Sequence, residues 1–93
     1  MITHVVSFTF TDRSDREECR DRLEALVPLV DALRTLTAGL DVVGDTGAAD
    51  LVLITTHDDV DGLRAYQQHP AHQEFGAWLR PRLAARTVVD FES

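Results

Sequence analysis

The segment Asp50–Thr56 narrows the folding options more than any other part of this chain. Its residues run Asp-Leu-Val-Leu-Ile-Thr-Thr, so Leu51 and Leu53 fall on one face of an extended strand and Val52 and Ile54 on the other. A strand apolar on both faces needs cover on both. Yet the chain has 93 residues, enough for one domain and one layer of helices. Helices in one layer bury one face of a sheet. The second face, which also takes Val5, Val89 and Phe91, needs another surface. A second copy of the same chain is the economical supplier, so a symmetric homodimer, sheet against sheet, is expected.

The remaining elements read as β-α-β-β-α-β. Ile2–Phe10 alternates Ile2, His4, Val6, Phe8 and Phe10 against Thr3, Val5, Ser7 and Thr9, a strand with one strongly apolar face. Ser14 followed by Glu17 fits a capping box. Cys19, Leu23, Leu26, Val27, Val30 and Leu33 then recur at helical spacing, with Pro28 placed to bend the helix and Gly39 ending the segment. Leu40–Val43 is expected as a short second strand, and Gly44, Asp45, Gly47 and Asp50 as a turn. Asp58 or Asp59 caps a helix carrying Val60, Leu63 and Tyr66. Pro70 suits the first turn of a further helix with His69 at its cap and His72, Phe75 and Leu79 on one face. Arg86–Phe91 is the last strand.

Composition removes several classes of function. The net charge is −7, which argues against nucleic acid or an anionic membrane as partner. All nine basic residues are Arg, so Schiff-base chemistry on a lysine is excluded. The single Cys19 lies on the apolar stripe of a helix and reads as a buried, inert thiol. No apolar run is long enough to span a membrane. The opening Met1-Ile2-Thr3-His4 lacks a basic leader and reads as structure, so the cytoplasm is the expected compartment.

Chemistry-bearing side chains concentrate in Tyr66-Gln67-Gln68-His69-Pro70-Ala71-His72. A phenol can donate a hydrogen bond to an oxyanion, and a neutral imidazole can take a proton near pH 7. Pro70 divides the segment, so Tyr66 ends one helix and His72 begins the next, both able to face one cavity. His69-x-x-His72 has a proline between its histidines and no carboxylate at matching spacing, so no metal site is expected. His57, beside Asp58 and Asp59, reads as a solvated turn, and Trp78 as a helix surface or pocket rim.

The stretches His4–Phe10, Tyr66–His72 and Val89-Asp90-Phe91, in this order over residues 2 to 92, resemble the stress-responsive dimeric α/β-barrel (Dabb) family. The resemblance implies a single Dabb domain over 1–93. It implies an α+β, ferredoxin-like protomer with an antiparallel four-stranded sheet, pairing into a dimeric barrel. A plant member, olivetolic acid cyclase, closes a linear polyketide by aldol condensation without cofactor or metal, and a fern hydroxynitrile lyase has a similar fold. Carried over by position, the resemblance makes Tyr66 and His72 the catalytic pair and His4 a further pocket histidine. Leu23 and Leu26 stand where the cyclase has aromatic residues, and Leu51 where it has another pocket histidine, so the same acid–base pair would meet a different substrate.

Physical chemistry supports those roles. The positive end of the helix begun at Pro70 disfavours imidazolium at His72 and keeps the ring a proton acceptor. Tyr66 can hold an enolate or alkoxide oxygen. Asp90 is a candidate to orient His72. His4, Val6, Phe8, Leu23, Leu26, Leu53, Phe75 and Val88 are expected to line an apolar small-molecule pocket with these groups. Two functions are compatible with this sequence: a cofactor-free acid–base catalyst of aldol or cyclase type on a polyketide-like compound, or a non-catalytic stress-responsive binding or structural protein.

Overall fold

The period-two alternation at the start of the chain becomes strand β1, Ile2–Phe10, whose even-numbered residues are all buried. The computed structural model describes all residues, Met1–Ser93. After β1 come helix α1 (Arg16–Glu24), strands β2 (Thr35–Leu40) and β3 (Leu51–His57), helices α2 (Val60–Gln68) and α3 (Pro70–Leu79), and strand β4 (Leu83–Glu92). Single helical turns at Arg13–Asp15 and Arg80–Arg82 precede α1 and β4. The sheet order is β2-β3-β1-β4, with every neighbouring pair antiparallel. This is the ferredoxin-like α+β arrangement that the family resemblance implies, built on the β-α-β-β-α-β order read from the pattern, with the second helix divided at His69–Pro70.

The register places His4 between Thr55 of β3 and Asp90 of β4, and Phe8 between Leu51 and Arg86. Leu51, Leu53, Thr55 and His57 are buried beneath the helices, together with Leu23 of α1, Leu63 and Tyr66 of α2, and Phe75 and Leu79 of α3. Burying each such leucine contributes about 1.5–3 kcal/mol. The opposite face is less covered: Val52 is 36% exposed, Val89 61% and Phe91 47%. No helix is long and apolar enough to cross a membrane.

Three local expectations are corrected. The first helix does not run to Leu33. It stops at Glu24, because Pro28 has no N–H to give and disfavours helical backbone just before it. Short turns follow, with Leu26 N donating to Leu23 O and Leu29 N to Leu26 O. Leu26, Val30 and Leu33 stay buried on this path. The earlier stop moves the second strand to Thr35–Leu40 instead of Leu40–Val43, and Val42 is 91% exposed. Ser14 and Glu17 form no capping box. Asp12 instead accepts from Ser14 N at 3.0 Å and Ser14 Oγ at 2.7 Å.

The α2 cap is Asp59, which accepts from Gly62 N at 2.7 Å. Asp58 is engaged bidentately by Arg34 at 3.0 and 2.7 Å. Gly44 (φ 75°) and Gly47 (φ 85°) supply the left-handed backbone of the turn into β3.

Candidate functional site

His69 and Pro70 set the site. The extended backbone of His69 closes α2 and opens α3, its Nδ1 accepts from Ala71 N at 3.0 Å, and Pro70 occupies the first helical position. His69 is therefore a cap, as expected. The break turns the chain so that Tyr66 and His72 meet, ring centres 4.6 Å apart and edge to face. His72 continues to Phe75, 6.1 Å away and again edge to face.

A cavity of about 290 Å³ lies between α3 and the helix-covered side of β1, β3 and β4. His4, Val6, Phe8, Leu53, His72 and Phe75 line it, as the sequence suggested. Gly76, Leu79, Arg80, Leu83 and Arg86 complete the wall. These five were not named as pocket residues: Gly76 and Leu79 extend the α3 face of His72 and Phe75, Arg80 and Leu83 lie where the turn and β4 begin earlier than the Arg86–Phe91 pattern indicates, and Arg86 is placed by its register opposite Phe8.

Leu23, Leu26 and Val88 do not line this cavity. Leu23 is a fully buried core residue of α1, and Leu26 borders a separate shallow depression beside Leu29 and Ala71. Val88 is 44% exposed, on the outermost strand of the sheet.

Burial holds the His72 pKa below its ordinary value, and the Arg86 guanidinium acts in the same direction. The Gln67 carbonyl partly opposes them. A neutral imidazole at the cavity wall is a competent proton acceptor.

Tyr66 is fully buried, and its hydroxyl has no hydrogen-bond partner. Burial pushes its pKa above the usual phenol range, which keeps the O–H protonated. It can therefore donate a hydrogen bond but not act as a base. Its ring does not form part of the cavity wall; it sits directly behind His72.

Two further histidines contact Tyr66. The His4 ring lies 6.4 Å away and the His57 ring 4.9 Å away. Asp90 does not orient His72. Cross-strand register puts it opposite His4, whose Nδ1–H donates to the Asp90 carboxylate. Asp90 therefore fixes the His4 tautomer and leaves Nε2 as that ring's remaining polar atom.

His57 is not a solvated turn but a buried residue ending β3. Its Nδ1–H donates to Ala32 O at 2.8 Å. Burial lowers its pKa, so Nε2 is unprotonated and accepts from the Thr55 hydroxyl at 2.9 Å. The signal was present in the sequence: the inward alternation of Leu51, Leu53 and Thr55 continues to His57.

Cys19 is buried, and desolvation pushes its thiol up to about 12, in keeping with an inert side chain. Trp78 is half-buried, stacked on Phe75 at 6.3 Å, with the Arg22 and Arg82 guanidinium groups each 4.6 Å from its ring.

The pattern of the stress responsive A/B barrel domain matches residues 2–93. The chain belongs to this family. An uncharacterized protein of Streptomyces coelicolor is 31% identical over 99% of both chains. A dimeric ferredoxin-like protein of unknown function from Thermobifida fusca is 32% identical, with a TM-score of 0.87 over 99% of this chain and 90% of its own. Two enzymes share the fold at lower identity. A hydroxynitrile lyase from Passiflora edulis is 14% identical (TM-score 0.82, covering 97% of this chain and 90% of its own). A cofactor-independent oxygenase from Streptomyces nogalater is 19% identical (TM-score 0.80, covering 99% and 91%).

Proposed function

We propose that this family member is a homodimeric, cytoplasmic acid–base catalyst acting on a small carbonyl compound. His72 removes a proton alpha to a carbonyl, and Tyr66 donates its hydroxyl to the resulting enolate oxygen. Aldol cyclisation of a polyketide-like chain is the concrete version. Proton transfer and carbon–carbon bond formation involve no net electron transfer, so the reaction calls for no redox cofactor.

The observation that carries this reading is the pairing of a neutral histidine at a cavity wall with a buried phenol whose hydroxyl has no partner. A buried donor left unsatisfied costs about 1–3 kcal/mol, which makes the Tyr66 hydroxyl a candidate donor to a ligand. Tyr66 packs against His72 and outside the cavity wall, so this role requires His72 to move aside on binding.

The dimer is supported by the apolar open sheet face and by the dimeric Thermobifida relative. Pairing that face would cover Val52, Val89 and Phe91.

A second reading, ligand binding without turnover, is favoured by the position of Tyr66 behind the cavity wall. Turnover of a poly-β-keto substrate or surrogate by His72→Ala and Tyr66→Phe separates the two. Catalysis predicts a loss of about 10²–10⁴-fold on removal of the base. Wild-type rates in both variants would rule out the catalytic assignment.

A further inference from the structure

Arginine pairing carries an inference about what enters the cavity. The chain has sixteen acidic residues and nine arginines, so each arginine could find a carboxylate. Arg13, Arg20, Arg22 and Arg34 do. Arg16 and Arg82 donate to the carbonyls of Asp41 and Trp78, and Arg64 to the Gln67 side chain. Arg80 and Arg86 make no such bond, and both line the same cavity.

The two arrive there from different elements. Arg86 lies opposite Phe8 across β1 and β4, on the helix-covered side of the sheet. Arg80 follows α3 and folds back over Gly76, where an added Cβ would stand 3.1 Å from its Nη1. Gly76 thus leaves room for a guanidinium at the wall. Arg86 is also near enough to His72 to act on its charge.

No Asp or Glu lines the cavity, whose other polar groups are His4 and His72. A protein of net charge −7 therefore carries one concave site of the opposite sign. Its remaining wall is apolar: Val6, Phe8, Leu53, Phe75, Leu79 and Leu83.

The geometry points to a substrate that is a carboxylate-bearing carbonyl compound, its acid group held by Arg80 and Arg86 and its apolar body lying against α3 and β1. This rests on reading the cavity as the site for a small carbonyl compound. It adds the acid group and the two residues that recognise it. Guanidinium donors suit a planar carboxylate, and His72 lines the same cavity. A cavity of about 290 Å³ suits a single-ring acid or a short keto acid.

Binding can be read without turnover, through the fluorescence of Trp78, the sole tryptophan, which stacks on the wall residue Phe75. The probes are para-ethylbenzoate and its uncharged counterpart para-ethylbenzamide, titrated into wild type, Arg80→Gln, Arg86→Gln and the double variant. Both arginines are exposed, so the variants are expected to keep the wild-type melting behaviour. Wild type should bind the benzoate at least about tenfold more tightly than the benzamide, and each single variant should lose most of that preference. The double variant should bind the two probes alike, and added salt should weaken only the benzoate. Equal affinity of wild type for both probes, a preference that survives in the double variant, or no saturable binding of the benzoate would overturn the assignment. Arginine-dependent benzoate binding without any turnover would leave the anchor standing and remove the catalytic reading. Turnover without a charge preference would do the reverse.

Discussion

Tyr66→Phe separates the stability of the fold from its proposed chemistry. The substitution keeps the ring packed among His4, His57 and His72 and removes one atom, the hydroxyl oxygen that is buried without a partner. A satisfied buried hydroxyl would make this change cost about 1 kcal/mol, whereas an unsatisfied one carries a desolvation penalty of about 1–3 kcal/mol that phenylalanine does not. The variant should therefore be at least as stable as wild type, by roughly 0–2 kcal/mol once partial water access is allowed for. In a domain of this size about 1 kcal/mol moves the melting temperature by roughly 4–8 °C. Thermal and urea unfolding at matched protein concentration, which fixes any contribution from dimerisation, measure this directly. Turnover should fall in the same variant. A destabilisation of more than about 1 kcal/mol would show that the hydroxyl has a structural partner, and would refute its candidacy as a donor to a ligand.

Acidification tests the buried histidines. His57 and His72 are both held below the ordinary 6.5 by burial, so between their folded values and 6.5 the unfolded chain binds more protons than the folded one. Stability is then full above 6.5 and falls as pH drops below it. Asp12 and Asp58, whose carboxyls are held below the usual 3.8, stay ionised across this range, and what they add to stability is lost only at lower pH. Urea midpoints should be lower at about pH 5.5 than at about pH 7.5, and an unchanged midpoint would contradict both placements. His57→Ala removes two hydrogen bonds and leaves a void beside Tyr66, so it should cost about 2–4 kcal/mol in urea unfolding; a cost under about 1 kcal/mol would mean the ring is solvated after all. Val89→Asp puts a charge on the open sheet face and should convert a sedimenting dimer to a 10.4 kDa species, whereas a dimer that persists would place the interface elsewhere.

The elements legible in the sequence were those whose signal is local. Alternation gave β1 and the core of β3, and Pro70 beside His69 gave the junction that brings Tyr66 to His72. The second strand was misplaced because the apolar pair Val42-Val43 resembles a strand more than Thr35–Leu40 does. What decides between them is pairing with β3, which a local pattern does not carry. The Asp90–His4 contact depends on the register of β1 against β4, residues 86 positions apart. The place of Arg86 in the cavity depends on the same register. His57 was readable, since its parity matches Leu53 and Thr55, but the neighbouring Asp58 and Asp59 gave it the look of a turn.

The central claim is that His72 is a neutral base acting on a carbon acid in the cavity. Exchange of alpha protons of a short β-keto acid into D₂O, followed by proton NMR at neutral pH for wild type and His72→Gln, tests it without knowledge of the natural product. Wild type should accelerate the exchange over buffer, and the variant should lose about 10²–10⁴-fold of that acceleration. Exchange at the same rate in both proteins, or no faster than in buffer, would contradict it.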